Sequence, residues 1–202
     1  MSKIVVIGAT GTIGRAAVAA LAGRHDVIQV GATKGELRVD ATDSVAVQKL
    51  FQSIGKVDGI VVAMGAVHFG PLDQTTPEQF SVGLRDKLMG QVNVVLVGQH
   101  WMTDGGSFTL TGGISAHEPV RDGTNASSVN MALEGFVKGA AVDLKRGMRI
   151  NLVSPTMLEE SVPSFGPYFP GFEPVSSARV GLAYVRSVDG PETGRVYRVG
   201  YC

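Results

Sequence analysis

Gly8-Ala9-Thr10-Gly11-Thr12-Ile13-Gly14 follows the apolar run KIVVI and leads into an amphipathic segment. Glycines at this spacing between a strand and a helix suit a dinucleotide. Gly8 permits the tight turn, Gly11 lets backbone approach a pyrophosphate, and Gly14 lets helix and strand pack closely. Thr10, Thr12 and Ile13 complete the turn, where free helical N–H groups and a positive dipole end can meet phosphates. A purely structural turn uses the same residue types. Strand, turn and helix in sequence favour the dinucleotide.

The next chemistry lies at the end of the second apolar run, DVIQVG, which continues Ala32-Thr33-Lys34. An NAD site places a carboxylate here for the ribose hydroxyls, whereas an NADP site needs room and a cation. No acid occurs before Glu36, and the Thr33 hydroxyl and Lys34 ammonium suit a 2′-phosphate, so NADP(H) is favoured. NAD(H) stays open, because Lys34 also reads as a solvated loop lysine.

Proton-transfer groups come later in the chain. Lys87, in RDKLMGQ, falls beside the apolar stripe of a long helix. A lysine facing a partly dry pocket loses basicity and can act as a general acid; otherwise Lys87 pairs with Asp86 or Glu78 on a wet face. His117 and Glu118 lie in GGISAHEPVRDG, where histidine offers a proton donor near neutral pH or is simply exposed. Arg121 in that loop can grip a carboxylate or phosphate, or pair with Glu118 or Asp122. His68 is a further polar group close to this region.

The elements that must hold these residues alternate between short β-branched runs and amphipathic segments, the pattern of a doubly wound parallel sheet with helices on both faces. Strands are expected at 3–8, 26–31, 59–65, 107–111, 149–153 and 195–200, with a short one at 37–39: about seven. Helices are expected through Leu21, over 43–53, over 76–101 as the longest, from 124 to about 145 with Gly147 as its stop, and over 176–188. Thr76, Pro77 and Gln79 form a cap, a first-turn proline and a capping box. Phe80, Leu84, Leu88, Val92 and Val95 mark the buried stripe of the long helix. Gly83, Gly90 and Gly98 suggest a face for close backbone approach, either to another subunit or to the chain's own sheet.

Composition narrows the function. The 202 residues suit one domain over 1–202. Eighteen basic and eighteen acidic residues cancel, which argues against nucleic acid as a partner. Cys202 is the single cysteine, so the chain can build neither an internal disulfide nor a thiolate metal site, and no metal is expected. The N-terminus enters a Gly-rich turn after one short apolar run, unlike a signal peptide, and no stretch reaches membrane-span length. A cytoplasmic protein without a membrane partner is expected.

These motifs together resemble the short-chain dehydrogenase/reductase family over nearly the whole chain. The glycine turn is the G-x-x-G-x-x-G variant of extended and atypical members. Val39-Asp40-Ala41-Thr42-Asp43 is similar to the family's D-V-T-D segment, which implies Asp40 and Ala41 beside the adenine. Val62-Ala63-Met64-Gly65 stands where the family has N-N-A-G, keeping Gly65 and placing Ala63 by the cofactor. Ile150 to Thr156 resembles the V-N-x-x-x-P-G segment beside the nicotinamide, with Pro155 kept. Thr193-Gly194-Arg195-Val196 resembles the T-G-x-x before the last strand.

The resemblance fails at the catalytic positions. The family's asparagine falls on Lys87, its serine on Gly113 (or Gly112), and its Y-x-x-x-K on Ala126 and Asn130. Alanine has no proton to give, and asparagine has no charge to tune a neighbour, so the standard mechanism cannot run. The resemblance brings Lys87 near the far end of the cofactor, and Asn130 toward its ribose or a substrate. It makes 155–190 a substrate-covering loop and helix, in which Phe165, Tyr168, Phe169 and Phe172 form an aromatic lid, cap the core, or meet another subunit. It implies a homodimer or homotetramer through helices 76–101 and 124–145. The expected function is NADP(H)-dependent oxidation and reduction of a small carbonyl or alcohol, with Lys87, His117 and Asn130 as active-site residues. The alternative is an inactive NADP(H)-binding sensor or scaffold.

Overall fold

Every residue of β1 (Lys3–Ile7) beyond Lys3 is buried, because Val5 and Ile7 point into one apolar layer and Ile4 and Val6 into the other. A strand covered on both faces belongs at the centre of a parallel sheet. The computed structural model describes residues 1–202. The elements run β1, α1 (Thr12–Leu21), β2 (Asp26–Gly31), β3 (Leu37–Arg38), α2 (Ser44–Ile54), β4 (Val57–Val62), α3 (Pro77–Gly83), α4 (Gly90–Gly98), β5 (Met102–Thr111), α5 (Thr124–Asp143), β6 (Arg149–Pro155), α6 (Val162–Phe165), α7 (Ser177–Asp189) and β7 (Val196–Val199).

The seven strands form one parallel sheet in the order β3-β2-β1-β4-β5-β6-β7. Strand order reverses direction between β1 and β4. The carboxyl ends there flank the crevice where doubly wound sheets hold ligands. On one face, Val47 and Phe51 of α2, Val94 of α4 and Leu133 of α5 join the larger core; on the other, Leu21 of α1 and Tyr184 of α7 join the smaller. The expected single-domain α/β architecture is the observed one.

Four local expectations are corrected. The long helix ends at Gly98 rather than Trp101, and a six-residue π-helical stretch, Leu84–Met89, joins α3 to α4. That widened stretch shifts the helical register, so the buried positions beyond it are Gln91, Val94, Val95 and Gly98, while Leu84 is exposed. The capping box on Thr76 and Gln79 forms as the sequence indicates. β5 starts at Met102 instead of 107, with Gly105 at φ +74° carrying the chain through a register irregularity against β4. α5 ends at Asp143, where Leu144 is extended, and Gly147 (φ +67°) turns the chain into β6 rather than stopping the helix.

The helix glycines face inward. A β-carbon would lie 2.4 Å from the Asn125 side chain at Gly83, 3.2 Å from Met64 at Gly90 and 2.7 Å from Ile60 at Gly98. Close packing against the chain's own interior accounts for their spacing. No helix is long and apolar enough to cross a membrane.

Candidate active site

The glycine turn at the mouth of the crevice is built by backbone geometry. Gly8 has φ +86°, and a β-carbon there would sit 2.3 Å from the Ala63 carbonyl oxygen. One on Gly14 would lie 2.0 Å from the Gly8 carbonyl oxygen, so α1 can start this close to β1 only with glycine. Gly11 is nearly open, its nearest atom at 3.4 Å, and it caps α1 without any side-chain bond to the free N–H groups. The turn from Gly8 to Gly14, including Thr10, Thr12 and Ile13, thus offers unsatisfied donors at the mouth of the crevice.

Thr10 lies against the next turn: a β-carbon on Gly31 would come 3.2 Å from its Oγ1. Thr33 and Lys34 are exposed in that turn after β2, with no carboxylate bonded to Lys34. Asp40 is exposed and accepts from Thr42 N (2.9 Å) and Oγ1 (2.7 Å), and these bonds hold its carboxyl below its ordinary pKa. Ala41 is buried, and the Asn93 side chain donates to the carbonyls of Ala41 (3.3 Å) and Thr42 (3.1 Å). Asn93 was not legible as a site residue; only its place on α4 brings it to this loop.

Beyond Gly65 and Pro155 the crevice deepens into a cavity of about 180 Å³. Its lining includes Ile13, Phe69, Lys87, Gly112, Gly113, Ser115, Ala126, Asn130 and Thr156. Lys87 arrives on the π-helical stretch, a feature common at functional sites because it re-aims side chains. Gly65 (φ +126°) clears its path: a β-carbon there would fall 2.5 Å from the Lys87 Cα. Lys87 Nζ donates to the Gly112 carbonyl (3.3 Å) and has no acidic partner, neither Asp86 nor Glu78. Burial of its ammonium pushes its pKa down to about 8.

Gln91, fully buried one turn on, keeps this wall in register. It accepts from Thr111 N (2.9 Å) and donates to Thr111 O (2.9 Å) and Met64 O (3.3 Å), joining the ends of β4 and β5. Opposite Lys87, Asn130 donates through Nδ2 to Ser115 Oγ (2.8 Å), and its Oδ1 is buried without a partner. Thr156 Oγ1 is likewise buried and unpaired. Ser115 follows the expected serine position by two residues, and the GGIS run was the available signal.

His117 does not line the cavity. Its Nε2 lies 2.7 Å from Glu134 Oε1, whose side chain is only 3 % exposed, and Arg198 approaches it at 3.3 Å. Asn130 and Glu134, one turn apart on α5, therefore clamp the loop after β5 at two rungs. The geometry ties His117 to the buried Glu134 side chain, outside the cavity lining. Neither His68 nor Arg121 lines the cavity. Asn125, next to Ala126, accepts from His68 N (2.9 Å) and donates to Phe80 O (2.6 Å).

The segment after β6 covers the cavity with Met157, Leu158, Phe165 and Phe169. Phe69 packs against Phe165 at 5.9 Å and Tyr168 at 4.6 Å between ring centroids, while Phe172 packs on Phe169 at 5.5 Å. No three His, Cys, Asp or Glu side chains sit together as metal ligands would.

A family model described as Enoyl-(Acyl carrier protein) reductase matches residues 3–187. The structure is similar to that of the protein lin1944 from Listeria innocua, with 44 % identity, a TM-score of 0.96, and coverage of 98 % of this chain and 100 % of that one. The chain belongs to the short-chain dehydrogenase/reductase family. A small-chain dehydrogenase shares 25 % identity at a TM-score of 0.84, covering 98 % of this chain and 95 % of that one. Another, in complex with NADPH, shares 24 % identity at a TM-score of 0.87 over 98 % and 96 %. No curated protein matches.

Membership gives the departures a physical reading. Ala126 and Asn130, where the sequence resemblance leads one to expect the family's tyrosine and lysine, both line the cavity. A β-carbon at Gly112 or Gly113 would meet the side chain of Leu152 at 2.8 Å or of Asn130 at 3.1 Å, so a larger residue at either position requires that neighbour to shift. The cavity keeps one cation and two unpaired polar atoms in an apolar frame.

Proposed function

We propose that the protein is an NADP(H)-dependent oxidoreductase of non-standard active site, acting on a small carbonyl or alcohol substrate. The observation that carries this reading is Lys87: an ammonium without a counter-ion, on the wall of the cavity, beside the nucleotide crevice. The glycine turn, the open α1 N-terminus, Ala41, Ala63 and Gly65 fit a dinucleotide, and Thr33 and Lys34 fit a 2′-phosphate. The NADPH held by a structural relative supports the phosphorylated cofactor.

NADPH held by the glycine turn, Thr33 and Lys34 would supply hydride chemistry at a substrate carbon. Lys87 holds the proton for the oxygen: its Nζ–H bond breaks as the O–H bond forms, and solvent later restores the ammonium. A lysine with pKa about 8 gives up that proton near neutral pH far more readily than an ordinary one. Ser115, steadied by Asn130, orients the oxygen, and the aromatic cover excludes water.

We also place the protein in the cytoplasm as a homodimer or homotetramer. Met89 and Leu96 on the π-helical stretch and α4, and Met131 on α5, are exposed apolar residues on the two helices that would pair.

The test is calorimetric titration with NADPH, NADP⁺, NADH and NAD⁺, followed by a carbonyl screen with wild type and Lys87→Met. Tight binding of the phosphorylated pair, and turnover lost in Lys87→Met with binding retained, are the expected results. Binding without turnover selects the sensor reading, which the alanine at position 126 favours. No binding by any of the four removes both.

A further inference from the structure

Lys87 is the only titratable side chain on the cavity wall. It is half-buried, and its Nζ reaches one acceptor, the Gly112 carbonyl at 3.3 Å; Gly112 lines the same cavity. No carboxylate pairs with it. A cation kept from water with no anion beside it sheds its proton easily, and burial lowers the Lys87 pKa to about 8. The role proposed above uses the ammonium. The neutral amine is the other half of that equilibrium, and a desolvated lysine in an apolar pocket is a nucleophile toward carbonyl carbon.

The cavity decides what such an amine meets. Phe69, Ile114, Met157, Leu158, Phe165 and Phe169 make its walls apolar and aromatic. Small apolar molecules gain by leaving water for such a surface, and the aromatic cover limits the water that would hydrolyse a carbon–nitrogen double bond. An amine whose hydrogen is held by the Gly112 carbonyl directs its lone pair away from that backbone. A lysine on a wet helix face has none of these features.

We propose that Lys87 is a covalent capture site for apolar and aromatic aldehydes, which it holds as a Schiff base. The Nζ lone pair adds to the aldehyde carbon, forming the C–N bond while the carbonyl π pair moves to oxygen. A nitrogen proton passes to that oxygen, giving the carbinolamine. Its hydroxyl then leaves with the remaining nitrogen proton as water, and the C=N bond forms with no change of oxidation state. A ketone adds an amine more slowly, because its second substituent crowds the carbon. Ketones are thus left to the reduction proposed above, while an aldehyde blocks it. Capture does not rest on the oxidoreductase reading; the block to turnover does.

The experiment incubates the protein with benzaldehyde and cyanoborohydride, which reduces the imine to a stable benzylamine, and maps the labelled lysines by peptide mass. At pH 8 about half of the Lys87 side chains are neutral, against under about 1 % for an ordinary lysine. Lys87 should therefore be labelled at least about tenfold faster than any other lysine. That ratio should fall above about pH 8, where Lys87 is already neutral and the others are still losing protons. With glyceraldehyde, a polar aldehyde, the ratio should drop to near one. Equal labelling of all lysines by benzaldehyde overturns the inference, and so does a preference for Lys87 that glyceraldehyde reproduces in full. Labelled protein that reduces a ketone at the unlabelled rate also overturns it, since the label would then lie outside the working cavity. If Lys87 is labelled selectively and no ketone is reduced, the oxidoreductase reading fails alone. If ketones are reduced and Lys87 resists labelling, the capture site fails alone.

Discussion

Gly65 and Lys87 touch so closely that a single methyl group at Gly65 would sit 2.5 Å from the Lys87 Cα and 2.6 Å from its Cβ. The end of β4 and the π-helical stretch are thus fitted to each other at the residue proposed to move the proton. Gly65→Ala is expected to destabilise the fold by about 2–4 kcal/mol, combining a positive φ with overpacking, and to lower turnover. Gly55→Ala is the control, since Gly55 has φ +80° but open space around its β-carbon. Urea midpoints of the two variants separate strain from contact. Equal losses would mean that the approach to Lys87 is unimportant.

The depressed basicity of Lys87 links stability to pH. Its pKa falls from 10.5 to about 8 on folding, so between those values the unfolded chain binds more protons and stability rises with pH. Below about pH 8 both states are protonated and the cost of burying the charge is felt in full, at most about 3 kcal/mol. Lys87→Met should therefore be more stable than wild type at pH 7, with the difference shrinking toward pH 10.5. Carbonyl reduction should fall as pH rises through about 8, because the proton to be donated is gone. A flat pH–rate profile from 6 to 10 would remove Lys87 from the chemistry.

The glycine turn makes two separable demands. Gly11→Asp places a carboxylate where there is space, so the fold should survive while dinucleotide affinity drops by at least about 100-fold through repulsion of the phosphates. Gly14→Ala forces a methyl group to 2.0 Å from the Gly8 carbonyl oxygen and should lower both stability and affinity. Thermal melts with and without NADPH distinguish the two. A Gly11→Asp protein that still gains stability from NADPH would place the pyrophosphate elsewhere.

His117→Ala leaves the buried Glu134 carboxylate without its 2.7 Å partner and should cost about 2–3 kcal/mol. Cofactor affinity should be unchanged. Glu134→Gln should cost less, because its amide still bonds the ring. If His117→Ala instead abolished turnover with stability intact, His117 would return to the chemistry.

Much of this was legible in the chain. Apolar runs such as KIVVI and the glycine turn state the sheet and the crevice, since a strand buried on both faces leaves little else for valine and isoleucine to do. The Thr76 capping box marked its helix start correctly. The π-helical stretch was not legible, because one extra residue in a turn leaves the composition helical while shifting every later side chain. The partner of His117 was hidden for a different reason. Glu134 lies 17 residues away on a helix whose facing is decided by packing, and no local pattern announces it. Ser115 was passed over because the expected serine position was Gly113, two residues earlier.

The fit between Gly113 and Asn130 also carries a consequence for reshaping the pocket. A serine introduced at Gly113 would bring its β-carbon to 3.1 Å from the Asn130 amide, and one at Gly112 would meet the Leu152 side chain at 2.8 Å, so the neighbour has to shift in either case. Exchange of Asn130 alone would free Ser115 and leave Lys87 and Leu152 against the glycine turn. The two positions are therefore coupled through one contact, and a redesign of this wall has to exchange them together.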